Sequence, residues 1–235
     1  MNELDFFSQV YPAEAPLTIF DVGAHVGESV ASFLTLFPHA RVHAFEPAPE
    51  NFRRLRARFA SEPRVSLHPV AMGTVDGRTR LHLSNYDAAH SVLPINSPEM
   101  NRWSDATDVA ESGVVDVAQR SIDSLLAETG FGLIDVLKLD VQGGELLALQ
   151  GAWAALAAHR VGCIFAEVEF RPLYIGQPLA WDIHAFLSGL GYQFINFAGP
   201  KLTDAGLLSW ADAIYVNPAI WTQLAASHSA GKRLH

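Results

Sequence analysis

Short apolar runs bounded by turn residues alternate with longer helical patterns along most of this chain. This alternation predicts a doubly wound α/β sheet with helices on both faces. The first five runs are rich in Val, Ile, Leu and Phe, as expected of strands that are covered on both faces. The predicted strands are 17–22, 41–46, 65–70, 134–140, 161–169, 192–197 and 213–217. The predicted helices are 28–37, 49–60, 145–158 and 180–190.

The same pattern predicts how the chain is organised. An N-terminal segment, 1–16, precedes one domain, 17–217, and a C-terminal tail, 218–235, follows it. Within the domain the alternation lapses between Gly73 and Gly113, where DGRTRLHLSN predicts a turn into a short strand. The polar stretch 84–113 that follows is expected to form a loop or lid, since loops longer than about 12–15 residues are commonly functional or mobile. The apolar stretch 4–11 could pack on its own domain or on a second subunit, so a homo-oligomer is left open.

Composition and charge exclude several classes of protein. The 16 Lys and Arg residues against 25 Asp and Glu give a formal charge of −9, which disfavours nucleic acid or an anionic membrane as a partner. The single cysteine, Cys163, excludes an internal disulfide and indicates a reducing compartment. The chain shows no signal-peptide pattern and no apolar run of roughly 18 residues. We therefore expect a cytoplasmic protein.

The stretch IFDVGAHVGES carries the most informative motif. A predicted strand ends at Asp21, and a loop with Gly23 and Gly27 leads into a helix. Glycines in such a loop allow a tight turn and a close approach of a ligand to the backbone. Glu46 ends the next predicted strand, where a carboxylate can accept hydrogen bonds from both ribose hydroxyls. Together these features predict a nucleoside-binding site.

The charge of this loop distinguishes between two nucleoside cofactors. A dinucleotide-binding loop presents three glycines to a pyrophosphate, whereas this loop has two glycines and the acidic residues Asp21 and Glu28. Carboxylates there would repel a pyrophosphate and favour a ligand with an ammonium group. The loop therefore favours S-adenosylmethionine, through its amino-acid end, over NAD.

Four segments together resemble the FkbM family of S-adenosylmethionine-dependent methyltransferases: DVGAHVGES, FEPAPENF, IDVLKLDVQGGELLALQGA and FAEVEFRPLYIGQPLAWDIHAFLSGLGY. The resemblance runs from about residue 17 to 217. It implies the class I methyltransferase fold, which is Rossmann-like, with a seven-stranded, mostly parallel sheet whose last strand is antiparallel. It also implies methyl transfer, commonly to a hydroxyl group of a sugar or a natural-product intermediate.

The resemblance also implies where the cofactor binds. By motif position, the glycine loop would surround the methionine end with Asp21, Gly23, Ala24, His25 and Gly27. The FEP motif would bind the ribose with Glu46 and Pro47, and the end of the third strand would bind the adenine with Ala71 and Met72. The end of the fourth strand would face the methyl group and the acceptor with Asp140 and Gln142.

Carboxyl groups at two strand ends are the leading candidates for the chemistry. Methyl transfer to oxygen needs in-line alignment and a group that takes the hydroxyl proton. Asp140 lies at the sheet edge where ligands bind in open α/β folds, although it could instead cap a helix. Glu167 and Glu169 share a strand face, and burying both is costly unless they are paired or used. His90, in the long loop, titrates near neutral pH and is the third candidate base.

Metal dependence and the acceptor group stay open. A divalent cation such as Mg²⁺, if used, would bind Asp140, Glu167 and Glu169, and the rival is a base that acts without metal. The small-molecule acceptor could offer a hydroxyl group or the amine of an aminosugar or aminocyclitol. A nicotinamide-dependent oxidoreductase is disfavoured because the third glycine and a Tyr-x-x-x-Lys pair are absent. An inactive nucleoside-binding or assembly protein is disfavoured by the intact loop, Glu46 and Asp140.

Overall fold

The structure, a computed structural model, describes residues 3–103, 108–203 and 206–231, and strands alternate with helices over most of them. The strands are β1 (Thr18–Val22), β2 (Arg41–Phe45), β3 (Val65–His68), β4 (Ala71–Met72), β5 (Gly77–Ser84), β6 (Glu111–Arg120), β7 (Ile134–Leu139), β8 (Val161–Glu169), β9 (Gln193–Leu202) and β10 (Leu208–Val216). The helices are α1 (Glu3–Val10), α2 (Glu28–Leu36), α3 (Pro49–Arg58), α4 (Ser97–Trp103), α5 (Ile122–Thr129), α6 (Glu145–Gln150), α7 (Trp153–Ala157), α8 (Ala180–Gly189) and α9 (Pro218–Gly231).

The main sheet has seven strands in the order β3-β2-β1-β7-β8-β10-β9. Neighbours from β3 to β8 pair in parallel, whereas β10 runs antiparallel to both β8 and β9. Parallel neighbours need long crossover connections, and helices supply them. The predicted α/β class is confirmed, with a mostly parallel seven-stranded sheet whose last strand in the chain is antiparallel.

Each face of the main sheet carries its own apolar core. Along β1, Ile19 belongs to the core covered by α1, α2 and α9, and its neighbour Phe20 to the core covered by α5, α6, α7 and α8. Successive side chains of a strand point to opposite faces, so strands buried on both faces need apolar residues at nearly every position. This is why the central strands could be recognised in the sequence.

The N-terminal helix packs on the domain itself. Phe6, Phe7 and Val10 of α1 are buried in the core beneath α2. Of the two alternatives for the apolar stretch 4–11, packing on its own domain is the one that the structure shows.

The expected C-terminal tail, 218–235, is wrong for residues 218–231, which form α9. Ile220 and Leu224 pack against the same core as α1 and hold the helix on the sheet. Among the described residues no helix, α9 included, is long and apolar enough to cross a bilayer.

A small second sheet forms where the sequence alternation lapses. Its strand order is β4-β6-β5, with β6 parallel to β4 and antiparallel to β5. Leu81 and Val117 are buried beneath it, while the neighbouring Arg80 and Asp116 are exposed. One face is therefore solvated, and a criterion based on continuous apolar runs missed β6. It missed α5 as well.

The predicted loop, 84–113, is largely packed rather than an open insertion. It contains a 3₁₀ turn and α4, and Ile95 and Met100 form a small core with Tyr174, which follows β8. Ile95 also forms an isolated β-bridge with Tyr174. Residues 104–107 lie outside the described residues. The segment is thereby fixed over the edge of the main sheet.

The predicted helix 145–158 is two helices, α6 and α7, which are separated at Gly151 and Ala152. A Cβ atom on Gly151 would lie 2.0 Å from the carbonyl oxygen of Gly73. The chain bends here because it passes against the backbone that follows β4.

His43 and His68 form a partly buried imidazole pair on β2 and β3. His43 Nδ1 lies 3.3 Å from His68 Nε2, and its ring packs edge-on against Phe131. Burial, with the nearby His68 and Arg41, lowers the pKa of His43 to about 4. The folded protein therefore keeps His43 neutral at pH values where the unfolded chain protonates it.

We expect the free energy of unfolding to fall as the pH drops from 6.5 towards 4, because the unfolded state then binds a proton that the folded state does not. The loss from His43 alone should reach about 3 kcal/mol near pH 4. Urea unfolding of wild type and His43→Gln across this range measures it. The two curves should converge towards low pH, and parallel curves would contradict the assignment.

Candidate active site

The carboxyl edge of the main sheet opens into a cavity of about 360 Å³. It lies beside β1 and β7, where the strand order reverses and where open α/β sheets bind ligands. The residues predicted from the sequence that line this first cavity are Gly23, His25, Glu46, Pro47, Ala71, Met72, His90, Asp140, Gln142, Glu167 and Glu169.

Three residues predicted to bind the cofactor lie outside the first cavity. Asp21 is fully buried beneath the glycine loop, and Ala24 lines a second cavity described below. Gly27 lines neither cavity and instead faces α3: a Cβ atom there would lie 2.8 Å from Leu55 on that helix and 2.3 Å from the ring of Phe59, which follows it. The close approach that Gly27 allows is therefore to a neighbouring helix.

Gly23 allows the ends of β1 and β7 to meet. Its φ is +83°, and a Cβ atom would lie 1.8 Å from the carbonyl oxygen of Asp140. The amides of Gly23 and Ala24 both donate to the carbonyl of Phe45, each at 3.0 Å. The loop is thus fixed to three strand ends at once.

Glu46 presents a carboxylate to the first cavity from the end of β2. Its Oε2 accepts the amide of His25 at 2.9 Å, and its Oε1 accepts that of Ala48 at 2.8 Å. Each oxygen keeps a lone pair for a further donor. Burial raises the pKa of Glu46 to about 7, although both amides act to lower it. This arrangement fits a pair of neighbouring hydroxyl groups, such as those of a ribose.

An apolar slot lies beside Glu46 and suits a flat base. Its side chains come from β2, the segment after β3, the small sheet and α3. The sequence analysis predicted Ala71 and Met72 but did not single out the others, because no motif position marks them as ligand contacts. The slot residues are Phe45, Asn51, Val70, Ala71, Met72 and Leu81.

The 3₁₀ turn Asp87–Ala89 covers the first cavity and is held in place by charge. The Asp87 carboxylate lies 2.6 Å from Arg54 Nη1 and 3.5 Å from His25 Nε2. His25 has a φ of 50°, an uncommon left-handed conformation for a residue with a side chain. Its imidazole therefore joins the glycine loop to the covering turn.

Four carboxyl groups cluster at the opposite end of the first cavity, and Gln142 joins two of them. Its Nε2 donates to Asp140 Oδ1 at 3.0 Å and to Glu167 Oε2 at 2.7 Å, and its Oε1 accepts the Tyr174 hydroxyl at 2.8 Å. Gln142 has a φ of 57°, a strained conformation of the kind found at functional sites. The side chain predicted to face the methyl group and acceptor lines the first cavity, and its hydrogen bonds order the acidic cluster. The cluster comprises Asp140, Glu145, Glu167 and Glu169.

Glu169 differs from the rest of this cluster in having a fully buried oxygen without a hydrogen-bond partner among the described residues. The residue is 1% exposed, and its Oε2 has no hydrogen-bond partner among the described residues. Burial, followed by the charges of Glu145 and Asp140, raises the pKa of Glu169 well above its ordinary value, although Gln177 acts to lower it. A buried oxygen without a partner is costly, so it points to a ligand that donates to it.

His90 lines the first cavity but is poorly arranged to act as a base. Its Nδ1 accepts the amide of Ser84 at 3.0 Å, so in the neutral ring the proton sits on Nε2. Burial lowers the pKa of His90 and favours this neutral form. The geometry favours a hydrogen-bond donor where the sequence predicts a proton acceptor.

The magnesium site considered from the sequence is not supported by this geometry. Within the described ranges no group of three or more His, Cys, Asp or Glu side chains is placed to hold a metal ion. The amide of Gln142 donates to Asp140 and Glu167, where a cation would need free oxygens. Asp140, Glu167 and Glu169 therefore do not fit a divalent cation as they stand.

A second cavity, also about 360 Å³, opens on the other side of the glycine loop. It shares Gly23, His25 and Asp140 with the first cavity. The residues that line it alone are Ala24, Glu28, Ser29, Ser32, Phe33, Lys138 and Phe165.

Lys138 on β7 neutralises Asp21 beneath the loop. Its Nζ lies 3.2 Å from Asp21 Oδ1 and 3.4 Å from Asp140 Oδ2, and Ser29 Oγ donates to Asp21. Burial alone would lower the pKa of Lys138, but the two carboxylates outweigh it and raise that pKa. The charge of Asp21 is thus balanced by an ion pair within the protein, although its Oδ1 has no hydrogen-bond partner among the described residues. Because Asp21 is fully buried, the argument that it attracts the ammonium group of a ligand is weakened.

Several known proteins are similar to this chain. The methyltransferase FkbM domain family matches residues 21–194. The chain is 31% identical to the 2-O-methyltransferase NoeI of Sinorhizobium fredii, over 68% of its own length and 66% of the relative. It is 28% identical to the 31-O-demethyl-FK506 methyltransferase FkbM of Streptomyces tacrolimicus, over 78% of its own length and 77% of the relative.

A solved structure shows the same fold. The methyltransferase FkbM from Methylobacillus flagellatus superposes with a TM-score of 0.55 at 18% identity, over 91% of this chain and 50% of that one. The chain therefore spans about two thirds of the length of the first relative and half of this solved structure.

Proposed function

The chain belongs to the FkbM family of methyltransferases, and from this membership we infer that it transfers a methyl group from S-adenosylmethionine to a hydroxyl group of a small molecule. One observation carries the proposal. A single cavity has a carboxylate suited to ribose, Glu46, at one end and a buried carboxyl group with one unpartnered oxygen, Glu169, at the other. Both relatives carry names of O-methyltransferases, which supports a hydroxyl acceptor.

The residues of the first cavity fit this cofactor. Glu46 would hold the ribose hydroxyls, and the apolar slot with Met72 and Leu81 would hold the adenine. When bound, S-adenosylmethionine supplies an electrophilic methyl group on a sulfonium, so that alignment of the acceptor carries much of the rate. The 3₁₀ turn Asp87–Ala89, which covers the first cavity, would exclude water from the bound cofactor and acceptor.

Glu169 is the residue that we assign as general base. Its free Oε2 would accept the hydroxyl proton while the acceptor oxygen bonds to the methyl carbon and the carbon–sulfur bond breaks. Asp140 is less suited, because its oxygens already contact Gln142 and Lys138. We assign Asp140 the role of holding the cluster and the glycine loop in register.

N-methylation is the second candidate. The described residues that line the first cavity include no Lys or Arg, so its acidic end could also receive a cationic amine of an aminosugar or aminocyclitol. Such an amine must lose a proton before it attacks, and Glu169 could take it.

Calorimetric titration with S-adenosylhomocysteine tests the proposal, with NAD as the matched control. We expect micromolar binding of the former and none of NAD. Product analysis by mass spectrometry with alcohols, sugars and aminosugars then separates O- from N-methylation. Absence of S-adenosylhomocysteine binding would favour the third alternative, a protein that kept the fold and lost the activity.

Replacing Glu46 with Gln should weaken binding of S-adenosylhomocysteine by roughly 10–100-fold, because two charge-assisted hydrogen bonds to the ribose become neutral or mismatched. Calorimetry at about pH 8, above the pKa of about 7 for Glu46, measures the full difference. Glu62→Gln is the control, since Glu62 pairs with Arg64 outside both cavities. Equal affinities of the two variants would remove Glu46 from ribose binding.

A further inference from the structure

An indole ring forms part of the wall of the first cavity at its acceptor end. β10 is antiparallel to β8, so its first residues, and not its last, reach the carboxyl edge of the main sheet. Trp210, near the start of β10, lines the first cavity there and is half-buried. The sequence analysis placed this strand at 213–217 and so did not include Trp210.

Trp210 lies directly opposite Glu169, the residue that we assign as general base. The two residues are partners in the ladder between β8 and β10. Directly opposite residues of an antiparallel pair point to the same face of the sheet, with Cβ atoms about 4.5–5.5 Å apart. An acceptor whose hydroxyl group donates to Glu169 Oε2 therefore comes to lie against the indole ring.

The backbone around Trp210 is irregular on the side of β9. The register between β10 and β9 shifts between Leu208 and Trp210 and again between Trp210 and Asp212, whereas the pairing with β8 is regular. Irregularities of this kind commonly re-aim a side chain next to an active site. Ser209 Oγ also donates to the carbonyl of Trp103 at the end of α4. These contacts fix the backbone of Trp210 without using its ring.

One face of the indole ring already carries a cation. Lys201 on β9 places its Nζ 5.8 Å from the centroid of the Trp210 ring. Since β10 lies between β9 and β8, Lys201 approaches from the side away from Glu169. The face of an aromatic ring is electron-rich and attracts positively polarised groups, C–H bonds included. On the side of Glu169 the indole therefore suits a ligand that presents a face of C–H bonds.

The carboxyl groups beside the indole constrain the rest of the acceptor. Asp140, Glu167 and Glu169 line this end of the cavity, and their oxygens can accept hydrogen bonds from several hydroxyl groups. The described residues that line the cavity include no Lys or Arg, so a phosphate or carboxylate group would be repelled. A saturated ring with several hydroxyl groups matches both walls, because the hydroxyls lie at its rim and the C–H bonds on its face. A phenol matches the indole alone.

We propose that Trp210 selects the acceptor by stacking on the C–H face of a six-membered ring that carries several hydroxyl groups and no anionic group. Glu169 takes the proton of one hydroxyl, that oxygen bonds to the methyl carbon, and the sulfur leaves as the thioether of S-adenosylhomocysteine. The inference rests on the proposed function and deepens it, because it assigns a residue that decides which acceptor binds. It predicts that the protein distinguishes a ring from an open chain with the same kind of hydroxyl groups.

Ligand-observed NMR titration of the protein saturated with S-adenosylhomocysteine tests the assignment. The probes are methyl hexopyranosides and methyl 6-deoxyhexopyranosides, the open-chain alditols of the same sugars, and catechol. Wild type should bind at least one pyranoside roughly 3–10-fold more tightly than the matching alditol, which keeps hydroxyl groups but has no rigid C–H face. Catechol should bind more weakly than that pyranoside.

Three variants locate this preference on the indole ring. Trp210→Leu should weaken pyranoside binding by roughly 3–10-fold and leave alditol binding unchanged. Trp210→Phe keeps an aromatic face and should retain most of the preference. Trp221→Leu is the matched control, because Trp221 is exposed on α9 and lines neither cavity. All three should bind S-adenosylhomocysteine within a few fold of wild type, which shows that they are folded.

Several results would overturn the assignment. Wild type that binds pyranosides and alditols equally, or binds no pyranoside, would show that the indole does not select a ring. An equal loss of both ligands in Trp210→Leu would make Trp210 a packing residue. Tighter binding of catechol than of every pyranoside would contradict the proposed acceptor class. Wild type that fails to bind S-adenosylhomocysteine would instead refute the proposed function, so the two failures are distinguishable.

Discussion

Replacing Glu169 with Gln should lower kcat by about 10²–10⁴-fold, the range that a positioned general base contributes. Gln has the same shape but cannot take the hydroxyl proton, and its amide would donate where the acceptor hydroxyl needs an acceptor. The affinity for S-adenosylhomocysteine should stay within a few fold of wild type, because Glu169 faces the acceptor end of the cavity. Single-turnover methyl transfer, with calorimetry on the same preparation, separates the two effects.

The pH dependence gives a second readout for Glu169. Burial and the nearby Glu145 and Asp140 raise its pKa well above the ordinary value, with Gln177 opposing. Only the ionised form can accept a proton, so wild-type kcat should rise with pH through an apparent pKa well above that of an ordinary Glu. The residual activity of Glu169→Gln should lack this rise.

Glu167→Gln is the matched control for Glu169, since the two residues share a strand face. Glu167 Oε2 already accepts from the amide of Gln142, so we expect a loss well below that of Glu169→Gln. If Glu167→Gln abolished turnover while Glu169→Gln retained it, the base would be Glu167 and our assignment would be wrong.

Replacing Gly23 with Ala should destabilise the fold by about 4 kcal/mol or more and abolish cofactor binding. The new Cβ atom would lie 1.8 Å from the carbonyl oxygen of Asp140, so one of two buried strand ends must move. The left-handed φ of +83° adds a smaller conformational penalty. Urea unfolding measures the change in stability.

Gly130→Ala separates the clash from the conformational penalty. Gly130 ends α5 with a φ of +70°, and no heavy atom lies within 4 Å of where its Cβ would be. We expect a loss of about 1 kcal/mol there, from the backbone alone. Equal losses for the two variants would show that β1 and β7 can separate at Gly23 without cost.

The ends of the strands that form the site could be located from the sequence because those strands are covered on both faces. The parallel strands β1, β2, β7 and β8 are buried on both faces, so each is an apolar run with a visible end. The residues after those ends, such as Glu46 and Asp140, must share one edge of the sheet, because parallel strands all point the same way. A linear pattern thus predicted a three-dimensional cluster.

The covering segment was harder to predict because one face of it meets solvent. β6 alternates apolar and polar residues. The segment around Asp87 is positioned by contacts that are distant in the chain, among them the pairing of Asp87 with Arg54, 33 residues away. Contacts at that separation leave no periodic signal. Neither the small sheet nor the packed state of 84–113 could therefore be derived from spacing.

The sequence by itself determined the fold class, the order of the strands and the glycine loop, and the set of polar residues at the carboxyl edge. Strands that are buried on both faces are visible as apolar runs, and parallel strands all end at the same edge of the sheet. Only the tertiary structure decided which of those residues are free to act. It paired Asp21 with Lys138, tied Gln142 between Asp140 and Glu167, and left an oxygen of Glu169 without a partner. Hydrogen bonds and ion pairs form between residues distant in the chain, so their assignment depends on packing and not on sequence spacing.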